Sequence, residues 1–157
     1  MEYIINPVLM GGVVSKAGED FVKINLHGRL GVITVPRRLV LGGQAPVPGH
    51  ELQFYFSYLE VDQNPCDYDL TELENAPEPA PIPVGGVLTE VNDTAVVCTL
   101  TSGMGTVAVP RRWVFTDVPL REGLTAHFYL SPMNIIGKRE TPAGTSRPGM
   151  ERQEETK

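Results

Sequence analysis

Residues 31–38 read GVITVPRR, and residues 105–112 read GTVAVPRR. The basic tetrapeptide VPRR thus occurs twice, 74 residues apart, in a chain of formal net charge −6. Working outward from it, residues 11–61 can be laid over residues 85–135 without a gap, and fifteen of the 51 paired positions are identical. Ordinary composition would give about three. We read this as an internal duplication. Two copies make a tandem pair, whereas a solenoid needs three or more to build a continuous core.

Within each copy the hydrophobic period is two, the period of a half-buried strand. Val22, Ile24 and Leu26 alternate with Lys23, Asn25 and His27, and the second copy answers with Val96, Cys98 and Leu100. Ile33 and Val35, with Val107 and Val109 in the second copy, predict the next inward face. Leu52, Phe54 and Phe56 align with Ala126, Phe128 and Leu130. Turn signals fall between these runs, at Gly18-Glu19-Asp20 and Asn92-Asp93. Helical periodicity is missing from both copies.

Four or five short strands in some 50 residues must close on themselves or pair with a neighbour. The expected fold class is all-β: two tandem small β-barrels, OB-like or SH3-like, from an internal duplication. Barrel 1 covers residues 1–62 and barrel 2 covers 83–137. An acidic, proline-containing linker spans 63–82, with one short helix over Leu70–Glu74, and a disordered tail covers 138–157. A barrel this small buries little core, so the two are expected to pack together about a pseudo-twofold axis. Trp113 and Val97 either supply that contact or complete the second barrel. The paired glycines Gly11-Gly12 and Gly85-Gly86 fall mid-strand and read as a bulge or a bend at a barrel corner.

The order of signals in a copy is similar to that of S1-type OB barrels of RNA-binding proteins. The segments Gly28–Arg38 and Phe54–Val61 resemble, more closely, an uncharacterised clostridial-type family of small β-barrel repeat proteins. That resemblance covers both copies and implies a small β domain in a bacterial cytoplasm. It carries no known activity.

Charge and composition exclude several functions. Between Arg38 and Arg111 there is no Lys or Arg, and that stretch holds ten acids. Such a surface repels a phosphate backbone over much of its extent, which disfavours nucleic acid. No stretch approaches the roughly 20 apolar residues of a membrane span, and no leader pattern is read at the first residues. Cys66 and Cys98 sit in unlike contexts and imply reduced thiols, so a cytoplasmic location is expected. Three scattered histidines and two cysteines show no metal-ligand spacing, and no cofactor or metal is expected. No catalytic residues are assigned: His27 aligns with Thr101, His50 with Leu124 and His127 with Gln53, so no Ser/His or Cys/His pair recurs. We expect a protein that is not an enzyme.

Three functions follow from the remaining residues. The first is a non-enzymatic interaction or assembly module. A protein partner would be held by Arg37, Arg38, Arg111 and Arg112 as paired guanidinium forks and by Tyr55 and Tyr129 as anchors. The architectural alternative lets Pro36 and Pro110 end a strand while the arginines cover the corner and meet the acidic linker. The second function is single-stranded nucleic-acid binding through Phe21, Lys23, His27 and Arg29, positions at which copy two offers Ala95, Val97, Thr101 and Gly103. The third is a small ligand bound between the barrels. Assembly into a homo-oligomer is compatible with each.

Overall fold

The alternation seen in the sequence carries directly into the backbone. In a computed structural model describing residues 6–64, 73 and 80–138, β2 (Phe21–Leu26) buries Val22, Ile24 and Leu26 and exposes Phe21, Lys23 and Asn25. It is preceded by β1 (Val8–Ala17) and followed by β3 (Val32–Pro36), β4 (His50–Phe56) and β5 (Leu59–Asp62). The second half runs β6 (Ile82–Val91), β7 (Ala95–Leu100), β8 (Thr106–Pro110), β9 (Val114–Thr116), β10 (Thr125–Leu130) and β11 (Asn134–Lys138). The bounds of β6, β7 and β8 are those of β1, β2 and β3 moved by 74 residues. The fold is all-β, as the strand period demands.

The eleven strands of the described residues belong to one sheet, in the order β11-β4-β1-β2-β3-β8-β7-β6-β10-β5-β9. A further pairing of β4 with β10, at Phe56 opposite Leu130, closes eight of them into a barrel-like ring. Besides that pairing and the parallel pairing of β5 with β9, the two halves meet at two further places. One is the antiparallel pairing of β3 with β8 over Val32–Thr34 and Thr106–Ala108. The other is a reciprocal exchange: β5 of the first half pairs with β10, and β11 of the second half pairs with β4. Each half therefore completes its sheet with a strand from the other. The core is correspondingly one continuous cluster, running from Val14, Ile24 and Phe54 to Leu88, Cys98 and Phe128.

The β3–β8 seam explains the glycine that precedes each VPRR. Gly31 and Gly105 have φ of +108° and +104°, a region that side chains strain to adopt. A Cβ on Gly31 would overlap the carbonyl oxygen of Ala108, and one on Gly105 would overlap that of Thr34. The two glycines are thus a reciprocal pair that lets the halves approach.

The paired glycines of β1 and β6 serve packing of a different kind. Gly12 lies where β1 pairs with β2 and β4 at once, opposite Leu26 and Leu52. A Cβ there would stand 2.6 Å from Ile24 and 2.8 Å from the Asn25 carbonyl oxygen. The register irregularity expected at the glycines falls further along, between Val14 and Lys16 and between Leu88 and Glu90. Of the short helix expected over Leu70–Glu74, Leu73 is described, helical and fully buried. The rest of that helix, most of the linker and the tail beyond residue 138 lie outside the described residues.

Candidate functional site

Proline decides where the arginines go. Pro36 ends β3 opposite Phe21 and has no N–H for the ladder. The chain then enters a one-turn 3-10 helix, Arg37–Leu39, in which the Val40 N–H donates to the Arg37 carbonyl at 3.0 Å. The Arg37 N–H donates to the Asp20 carbonyl at 2.8 Å, so the arginine turn is tied to the tip of the β1–β2 hairpin. The second half repeats this with Arg111–Trp113, where the Arg111 N–H donates to the Thr94 carbonyl at 3.1 Å.

Beyond the shared backbone the two arginine turns differ. The Arg111 guanidinium folds back on its own hairpin and donates to the Asn92 carbonyl at 2.8 Å. Arg112 crosses the seam and donates to the Arg29 carbonyl at 3.1 Å. Arg38 crosses the other way, its Nη2 standing 3.6 Å from the Met104 sulfur. Arg37 makes no side-chain hydrogen bond or ion pair among the described residues. It lines an open cleft of about 430 Å³, whose lining also includes Arg38, Glu19 and Asp20 of the hairpin tip and Gly43 and Gln44 of the following loop.

A second cleft, of about 330 Å³, also has Asp20 in its lining. Phe21, which is 44% exposed, lines it together with Lys16, Lys23 and Thr34. Of the four residues expected to form a nucleic-acid face, the structure thus brings Phe21 and Lys23 together. His27 instead lies over Gly11, and Arg29 sits in the turn before β3 with φ of +58°.

Tyr55 and Tyr129 lie at the closure of the ring and are half-buried. The Tyr55 N–H donates to Ser131 Oγ at 2.8 Å and the Tyr129 N–H to Ser57 Oγ at 2.9 Å, a second reciprocal pair between the halves. Trp113 reaches the first half as well. Its ring stacks on Tyr58 with centroids 3.9 Å apart, and its Nε1 donates to the Ser57 carbonyl at 2.8 Å. The acidic linker proposed as a partner for the arginines lies outside the described residues, apart from Leu73 and its ends.

Several residues of this region escaped the sequence reading. Glu19, Asp20, Lys16 and Gln44 line the clefts, and a signal for the first two was available. Once β2 and β3 are paired as a hairpin, the register that sets Phe21 opposite Pro36 places Asp20 beside Arg37. The pair His127 Nε2–Asp62 Oδ1, at 2.9 Å, was not foreseen because it joins strands from different halves. Burial raises the Asp62 pKa, but the hydrogen bonds from His127 and from the Asn64 N–H, with the His127 charge, outweigh it and hold the carboxyl below its ordinary value. No group of three His, Cys, Asp or Glu suited to a metal occurs among the described residues, and none of their helices is long and apolar enough to cross a membrane.

No family model matches the chain, and no curated protein does. Among solved structures, the molybdate-bound form of the cytoplasmic molybdate-binding protein ModG is similar over 89% of this chain and 100% of that one, at 20% identity and a TM-score of 0.25. A likeness of that degree carries neither fold nor ligand across.

Proposed function

We propose that this chain is a non-enzymatic binding protein that takes a small organic anion in the cleft of its first half. The observation that supports this reading is the placement of Arg37 and Arg38 on the wall of one open cleft of about 430 Å³, a size within the range of small-molecule sites. A guanidinium group suits a carboxylate or phosphate, which it can grip with paired N–H donors. The Arg37 backbone is held by the Asp20 carbonyl, so the fork starts from a fixed position. Glu19 and Asp20 add acceptors to the lining, which favour a ligand that also carries hydroxyl or amino donors.

The Arg111 and Arg112 side chains donate to backbone carbonyls, whereas the Arg37 side chain makes no hydrogen bond or ion pair among the described residues. That contrast favours a ligand site in the first half.

The test is a thermal-shift screen of the full chain against carboxylates, phosphates and sugar phosphates, repeated with Arg37→Ala. A ligand that binds the native state raises the melting temperature in proportion to its concentration over Kd. At least one anion class should stabilise the protein and lose most of that effect in the variant. The absence of any stabilising anion at millimolar concentration would refute the reading.

A further inference from the structure

Two clefts whose linings share Asp20 offer three chemically distinct sets of side chains. One cleft is lined by Arg37 and Arg38, the other by an exposed Phe21 with Lys16 and Lys23, and Asp20 lines both. We infer that the two clefts together bind a nucleoside monophosphate, with phosphate on the arginines, ribose at Asp20 and base against Phe21. This rests on the small-anion reading above and gives its ligand a class.

Each part matches a recognised mode of contact. The guanidinium forks suit a phosphate's paired oxygens. A carboxylate is a ready acceptor for ribose hydroxyls. An exposed phenyl ring offers a base its flat face, an interaction tolerant of base identity. Lys16 and Lys23, paired across β1 and β2, add two cations to the lining of the same cleft.

Charge points the same way. The chain carries −6 overall, yet the two clefts bring together Lys16, Lys23, Arg37 and Arg38 against Glu19 and Asp20. A positive island on an acidic protein suits a small anion better than a long polyanion, whose further phosphates would run onto acidic surface.

The second half supplies an internal control. At the places of Lys16, Phe21 and Lys23 it has Glu90, Ala95 and Val97, on strands with the same bounds, while its arginines are kept. The base-binding end is therefore a property of the first half alone, and its residues can be exchanged for ones the fold already accommodates.

The experiment is calorimetric titration of the full chain with the four ribonucleoside 5′-monophosphates, ribose 5-phosphate, inorganic phosphate and a single-stranded oligoribonucleotide series. The wild type is compared with Phe21→Ala/Lys23→Val and with Arg37→Ala. At least one monophosphate should bind about tenfold or more tightly than ribose 5-phosphate, the gain expected from one base stack. The Phe21→Ala/Lys23→Val variant should lose that gain yet bind ribose 5-phosphate as before, and Arg37→Ala should weaken every phosphate. Equal affinity for monophosphates and ribose 5-phosphate would overturn the nucleotide inference and leave the small-anion reading standing. Affinity rising with oligonucleotide length would overturn it in favour of a nucleic-acid surface. Silence from every phosphate overturns the inference, and the carboxylate arm of the stability screen then decides the broader reading separately.

Discussion

A single β-carbon separates tolerated from forbidden residues at Gly31. Its φ is +108°, and the Ala108 carbonyl of the other half occupies the place of a side chain. Gly42 has φ of +94° but nothing within 4 Å. Gly42→Ala should therefore cost only the backbone strain, about 1 kcal/mol, while Gly31→Ala should cost upward of about 3 kcal/mol because the seam must open as well. Urea denaturation of the two variants measures the difference. Asp62 offers a second residue-scale test. Its pKa is lowered in the folded protein, so its contribution is present above the unfolded value near 3.9 and is lost as pH falls through the folded value. The groups around it are His127, the Asn64 N–H and, on the same strand, buried Glu60. The stability gap between wild type and Asp62→Asn should be full above about pH 5 and narrow as pH falls below about 4 toward the folded value. A gap that does not change with pH would show that the partners of Asp62 contribute independently of its charge.

Elements show how far local pattern reaches. The strands were legible because side chains alternate in and out within six or seven residues, as Val22, Ile24 and Leu26 do, and this needs no knowledge of the partner strand. The pairing of β5 with β10 was not legible, because Leu59–Asp62 reads as buried whichever sheet receives it. The aromatic contact made by Trp113 belongs to the same class. A tryptophan where the first half has Leu39 signals a difference between halves, but not its direction. In the structure its ring bridges to Tyr58, and the Tyr58 ring also stacks on Phe115 at 4.7 Å. Trp113→Ala should cost about 3 kcal/mol, through lost burial, stacking and the bond to Ser57. Trp113→Leu, which restores the residue of the first half, should recover part of the packing but none of the hydrogen bond. Far-UV circular dichroism in urea distinguishes the two.

At the scale of the whole molecule, one sheet and one core predict one unfolding transition. Circular dichroism and Trp113 fluorescence should give coincident urea curves, since no half has a sheet of its own to retain. Proteolytic cleavage at a site inserted in the linker should leave fragments that co-elute under native conditions and separate in denaturant. Fragments that part without denaturant would show that the exchanged strands contribute little. The candidate site was half legible on the same grounds. VPRR drew attention to the arginines because it is repeated, and Phe21 and Lys23 stood out as an outward aromatic and cation. Their union around Asp20 depended on a hairpin register and a loop path, Gly43–Pro46, for which the second half offers no parallel.

Strand exchange also has a consequence in time, during synthesis. β5 ends at Asp62, and its partner β10 begins at Thr125. At ordinary translation speeds of about 5–20 residues per second, roughly 3–13 s pass before that partner leaves the ribosome. For that interval the nascent first half holds a completed hairpin but an unfilled edge on β4 and an unclaimed β5. Two neighbouring chains on one messenger could trade these strands, so the yield of monomer should fall when ribosomes are densely loaded and rise when they are sparse.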